Sequence, residues 1–170
     1  KYIDESSAID FWIVNEVTKN YGANYRSSAW MYKARDVLNP DGTTTVGKLY
    51  HGPLWDFDTG QGNADYGAGQ ASTSGWWMRD SNDAPRQASV TWMNRLFQDP
   101  EFKAAAKARW QQVSPQLKDA TAWLGVQQPA LKASADADHA LWGLGSYSTD
   151  ANALRAWLSD RIAWIDANFR

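Results

Sequence analysis

The 170-residue chain contains no cysteine and only two histidines. The first absence excludes disulfides and thiolate metal sites, without fixing a compartment. The two histidines, His51 and His139, are too few and too far apart in sequence for a His-rich zinc site. Any bound metal must therefore be held by oxygen, which points to Mg²⁺, Mn²⁺ or Ca²⁺. There is no Lys/Arg-rich run, and the formal net charge is −2. That leaves no electrostatic footprint for nucleic acid. No apolar stretch approaches the ~20 residues needed to span a bilayer. The opening KYIDESSAIDF lacks the apolar central region of a signal peptide.

Hydrophobic residues make up 44% of the chain, enough to bury one core in one domain. Eleven tryptophans is a high count for this length. Large aromatics filling a core would explain it, and so would an aromatic platform for sugar. Most of the tryptophans fall at helical spacing beside other apolar residues, which favours the core.

Ile9, Trp12, Ile13 and Val17 recur at i, i+3, i+4 spacing and predict a helix from about Ser6 to Asn20. Asp4 or Ser6 can cap it, and Gly22 can stop it. Phe11 and Val14 widen its apolar face, so cover on more than one side is expected. From Ala29 to Asp58 the period changes. AWMYKARDVL and VGKLYHGPLWDFD are short aromatic-rich runs joined by NPDGTTT, whose Pro40-Asp41-Gly42 is turn chemistry. They predict a β-hairpin whose second strand delivers Trp55-Asp56-Phe57-Asp58. TGQGNADYGAGQASTSG then reads as a surface loop. Helix resumes from about Gln87, with Val90, Met93 and Phe97 on one face. Asp99-Pro100-Glu101 opens a helix with Phe102, Ala106 and Trp110 four apart. Pro115 is expected to interrupt it. Further helices are expected at 116–127, 129–143 and 149–168, the last with a stripe of Leu154, Trp157, Leu158, Arg161, Ile162 and Ile165. The expected fold is mainly α (α+β): one helical unit with one β-hairpin carrying the WDFD motif.

Residues i and i+2 of a strand share a face, so Asp56 and Asp58 are expected side by side, ~6–7 Å apart. Adjacent carboxylates repel, and a divalent cation relieves the repulsion. Gly60 and Gly62 permit a tight turn whose N–H groups could face an anion. Together these features suggest a metal–phosphate site. A solvated strand end, with Asp58 capping a turn, explains the same residues. Carboxylates ~6.5–9.5 Å apart also suit an inverting glycosidase, although two on one strand is an unusual way to flank a sugar.

The order YID…S..IDFWIVNEVTKN, YRSSAWMYK, GKLYHGPLWDFDTGQGN, WMNRLFQDPEFKAAAKARW and a closing helix with Arg161, Trp164 and Ile165 resembles the CotH kinase family. That family is named after a bacterial spore coat protein, and the resemblance runs over essentially the whole chain. Its most specific part is G-P-L-W-D-F-D followed by G-N. R-L-x-x-D-P-E-F and A-R-W support it independently. The resemblance implies a kinase C-lobe-like unit that uses ATP with Mg²⁺ or Mn²⁺ and transfers the γ-phosphoryl to a protein hydroxyl. It implies Asp56 as the main metal ligand, with Asp58 assisting it or orienting a neighbour. Phosphoryl transfer rests on positioning and charge neutralisation by metal, so this agrees with the reading of the residues themselves.

The family domain is longer. Residues 1–170 are therefore expected to form a single unit, the C-terminal part of such a domain, without the ATP-clasping lobe and its phosphate-contacting lysine. Members usually carry a base aspartate in an N-x-D pattern after the first helix. Here the window Asn20-Tyr21-Gly22-Ala23-Asn24 holds no acid. Asn24 is the nearest stand-in at that catalytic position, and an amide cannot usefully accept a proton near neutral pH. Ser28 sits where the family's Ser or Asn lies. A pseudokinase is one reading, and little or no transfer is expected of these residues alone. The alternative is a surface or secreted binding module whose aromatic loop 64–85 engages a protein or glycan. The resemblance implies a protein substrate or surface partner, and an extracellular, envelope or spore-surface location over a cytoplasmic one.

Other residues carry open alternatives. Glu16 can be solvated, can pair with a buried arginine (Arg26 or Arg35 being candidates), or can brace the following loop. Arg161, on an apolar stripe, is expected in a buried ion pair. His51 reads as structural, and His139 has no role. By the resemblance, Asn63 can order the loop or touch metal. Trp76 and Trp77 can contact a peptide, base or sugar, or can fold back on the core.

Overall fold

The computed structural model describes residues 2–23, 25, 27–63, 69–79 and 92–169. Its central element is α1, Glu5–Thr18. Asp4 caps the start, accepting from the Ser7 N–H at 3.0 Å, while the Ser6 hydroxyl braces the same carboxylate at 2.8 Å. Lys19 ends the helix in the left-handed region at φ 46°, so the stop comes three residues before the expected Gly22. Ala8, Ile9, Phe11, Trp12, Ile13 and Val17 are all buried. They occupy more than one side of the helix, and α1 is covered by the hairpin on one side and by the long C-terminal helices on the other.

The strands are β1 (Met31–Lys33), β2 (Val37–Leu38), β3 (Thr44–Thr45) and β4 (Leu49–His51). They form two two-stranded antiparallel sheets, β1–β4 and β2–β3, the second nested inside the first in chain order. The inner sheet pairs Val37 with Thr45, and the outer one pairs Met31 with His51 and Lys33 with Leu49. Tyr32 and Tyr50 stack across the outer sheet with ring centroids 5.2 Å apart. Gly47 lets the two sheets meet: a Cβ there would lie 2.0 Å from the Ala34 carbonyl oxygen.

The second strand is shorter than the sequence pattern suggests. It ends at His51 and is followed by Gly52 at φ 127° and a cis Gly52–Pro53 bond. Trp55 to Asp58 run as irregular chain, with Asp56 in the left-handed region at φ 65°. The alternation that would place both aspartates on one face does not apply there.

Among the described residues three helices follow: α2 (Trp92–Leu96), α3 (Pro100–Trp142) and α4 (Tyr147–Asn168). Asp99 caps α3, accepting from the Glu101 N–H at 2.9 Å. Pro115 does not interrupt α3, which continues through both Pro115 and Pro129 for 43 residues, about 64 Å. Both prolines are exposed, so water can satisfy the carbonyl each one frees. Phe102, Ala106, Trp110, Ser114 and Thr121 meanwhile hold the helix against its neighbours. Gly143, at φ 64°, turns the chain into α4, which doubles back along α3. Of the face expected from Gln87 onward, Val90 lies outside the described residues, Met93 is buried and Phe97 packs on the core.

The tryptophans of the loop before α2 fold back on this core. Trp77 is 5% exposed, and Trp76 packs against Trp12, Trp164 and Phe169. Neither projects as a ligand platform would. Core filling is thus what Trp76 and Trp77 do, whereas Trp30, Trp55, Trp92, Trp123 and Trp142 are exposed.

Replacing Pro115 by alanine restores a helical N–H donor at an exposed interior position. The change is expected to stabilise the protein by about 1–2 kcal/mol. Urea unfolding checks this, and an unchanged or lowered midpoint would mean that the proline suits the helix as it stands.

Candidate functional site

The site is built around the end of α1. Glu16, one turn before that end, is fully buried. Its carboxylate accepts from the Trp12 indole at 3.1 Å, from the backbone N–H groups of Met78 (2.8 Å) and Arg79 (3.2 Å), and from the N–H of Trp77. Arg161 of α4, also fully buried, donates to the same carboxylate at 2.7 Å. Its guanidinium further donates to the carbonyls of Glu16, Thr73 and Gly75. Burial pulls this guanidinium below its ordinary range, and Glu16 opposes the pull. Glu16 therefore both pairs with a buried arginine and braces the loop. The partner is Arg161, while Arg35 is exposed and Arg26 lies outside the described residues.

The two residues after α1 tie it to the segment carrying the aspartates and to the loop that follows. Asn20 is fully buried; its amide donates to the Trp55 carbonyl at 3.3 Å and accepts from the Gly22 N–H at 3.2 Å. Its own carbonyl accepts from the Trp77 indole at 2.9 Å. The Lys19 ammonium donates to the carbonyls of Gly69 (2.7 Å) and Ser74 (2.5 Å). Gln70, fully buried, donates to the Thr59 carbonyl. The glycines of the WDFDTGQGN stretch serve close packing. A Cβ on Gly60 would lie 2.8 Å from the Thr18 carbonyl, and one on Gly62 2.6 Å from the Trp157 ring. Three N–H groups of this turn are already used: Gly60 donates to Phe57, Gln61 to Thr18 and Asn63 to Gly60. They are not aimed at an anion.

Asp56 is exposed, and its carboxylate accepts from the Ser28 hydroxyl at 2.9 Å. The fold thus joins two of the sequence-predicted residues across 28 positions. Asp58 is also exposed but faces elsewhere, lining a cavity between the 57–63 turn and α4. Asn63 donates to the Asp58 carbonyl at 2.7 Å and so orders the turn. Asn24 lies outside the described residues. Among the described residues no three His, Asp or Glu side chains gather as a metal cluster, and no helix is long and apolar enough to cross a membrane. Asn20, Lys19 and Gln70 were not singled out from sequence. Their signal is slight: polar residues directly after an amphipathic helix, and one glutamine within a Gly/Ser run.

A family model described as CotH kinase protein matches residues 1–165. The chain belongs to the CotH kinase family. No curated protein and no solved structure matches it. Within this CotH kinase chain, the Ser28–Asp56 bond joins the YRSSAWMYK and WDFD stretches that carried the resemblance.

His51, buried beside Phe11 and Trp92, meets the Tyr25 hydroxyl through Nε2 at 2.8 Å. Desolvation pushes its imidazole below the ordinary value of 6.5 and keeps it neutral in the fold. The folded state then binds fewer protons than the unfolded one. The contribution is present above pH 6.5 and is lost as pH falls toward the folded value. Stability of the wild type is expected to drop between pH 7.5 and 5.5, and His51→Gln is expected to flatten that drop in thermal melts. A second expectation concerns the ion pair. Arg161→Leu should cost about 3–5 kcal/mol, because it strands a buried carboxylate. Adding Glu16→Gln should recover part of that loss in urea unfolding, whereas simple additivity would mean that the two are uncoupled.

Proposed function

We propose that this CotH kinase family member binds ATP with a divalent metal at Asp56, and that Ser28 holds the Asp56 carboxylate in place. The observation that carries this reading is the 2.9 Å Ser28–Asp56 hydrogen bond, at a residue held in the left-handed region. The donor set suits Mg²⁺ or Mn²⁺. Such ions commonly take one or two protein carboxylates and fill the remaining positions with phosphate oxygens and water. An exposed carboxylate braced on one oxygen is a donor of this kind. When bound, the metal supplies neutralisation of phosphate charge. The chain supplies orientation: Ser28 fixes the carboxylate, and Asn20 fixes the backbone of Trp55 directly before it.

The chemical step in this member proceeds without a carboxylate base from residues 20–24, because that window contains none. The reading is therefore metal–nucleotide binding with weak transfer, to a protein hydroxyl where transfer occurs. The rival reading, a binding module with an aromatic loop, loses its anchor because Trp76 and Trp77 belong to the core.

Calorimetric titration of Mn²⁺–ATP into the chain tests this. The wild type is expected to bind, Ser28→Ala to bind about tenfold more weakly, and Asp56→Ala to show no binding. Equal affinity in the wild type and Asp56→Ala would overturn the assignment.

A further inference from the structure

A cavity of about 620 Å³ lies between the turn after Phe57 and the first three turns of α4. Its apolar wall includes Phe57, Tyr147, Leu154 and Trp157. Its charged groups are Asp58 on the turn and Asp150 on the helix, and Gln61 and Asn63 add amides. Among the described residues no lysine or arginine lines it. Among the described residues, the basic group beside these carboxylates is His139, whose Nδ1 lies 4.0 Å from the Asp150 carboxylate and 3.0 Å from the Gly145 carbonyl. The walls are held from outside the cavity. The Trp157 indole donates to the Ala71 carbonyl at 2.7 Å and its ring edge rests on Gly62, while Asn63 fixes the carbonyl of Asp58. Both carboxylates belong to exposed residues, and Asp58 has no ion-pair partner among the described residues.

Aromatic walls attract a cation through the negative faces of their rings. Two carboxylates on opposite walls add a field of one sign in a concave space. Anionic guests are repelled. A neutral sugar would gain the hydrogen bonds but not the charge. We propose that this cavity binds an organic cation, an alkylammonium or guanidinium group, held between Asp58 and Asp150 over the Trp157 and Tyr147 side. The group can come from a free amine or from a lysine or arginine side chain of a partner. The site is separate from Asp56 and does not depend on metal or nucleotide.

The test is calorimetric titration of the full chain, in EDTA and without nucleotide. The probes are agmatine, a capped Gly-Arg-Gly peptide and cellobiose. Binding of agmatine or the peptide is expected, weakened about tenfold by Asp150→Asn and again by Asp58→Asn. Tighter binding of the peptide would identify the source as a partner side chain, and tighter binding of agmatine a free amine. Thermal melts of the two variants keep a folding defect distinguishable, and the exposure of both side chains leads us to expect unchanged midpoints. Failure of both cations to bind the wild type would overturn the proposal. So would cation affinity that is unchanged in both variants, or cellobiose binding in place of the cations. None of these outcomes bears on Mn²⁺–ATP binding at Asp56.

Discussion

The rest of the molecule hangs on one buried ion pair. Removing a carboxylate and a guanidinium from water costs several kcal/mol per ion, and Coulomb attraction alone does not secure repayment. Glu16 and Arg161 meet that cost with hydrogen bonds. The carboxylate takes donors from an indole, three consecutive backbone N–H groups and the guanidinium, and the guanidinium reaches three carbonyls besides. A network satisfied in this way specifies one arrangement, because any shift strands a charge. It joins three pieces remote from one another in sequence: α1, α4 and the loop from Thr73 to Arg79.

With that junction fixed, the stretch carrying the aspartates has little freedom. Asn20 and the Gln61 N–H, which donates to the Thr18 carbonyl, fasten it to the end of α1, Gln70 holds Thr59, and Trp157 of α4 packs on Gly62. The stretch is irregular in backbone yet anchored at many points, which suits a site where carboxylates must stay in position. The separation of Asp56 from Asp58 follows from the same anchoring. One aspartate meets Ser28, and the other opens onto the cavity beside α4.

Much of this was legible in the chain. The periodic helices were, because an apolar stripe has few ways to be buried: α1 and α4 lie close to where the spacing placed them. The motif order pointed to the family. The misreadings share a physical cause, since each turned on tertiary contacts that override a local preference. Pro115 breaks an isolated helix but is tolerated at an exposed position on one packed along its length. The strand pattern ran on to Asp58 in sequence, but Gly52 and the left-handed Asp56 end the alternation. The two alternatives for Trp76 and Trp77 stay open in a polar run, because nothing local indicates that Trp12 and Phe169 receive the first and Tyr21 the second. The partner of Glu16 lies 145 residues away, a distance no pattern spans.

That distance has a consequence for how the chain acquires its shape. Contacts between remote residues form slowly, because a long loop must close before they stabilise anything. α1 is here completed by α4, which is synthesised well after it. Until α4 arrives, Glu16 lacks its cation and part of the apolar surface of α1 lacks its cover. Between the synthesis of α1 and that of α4 the nascent chain therefore exposes a sticky helix, and a chain that stalls or is truncated before Arg161 is a natural client for a chaperone.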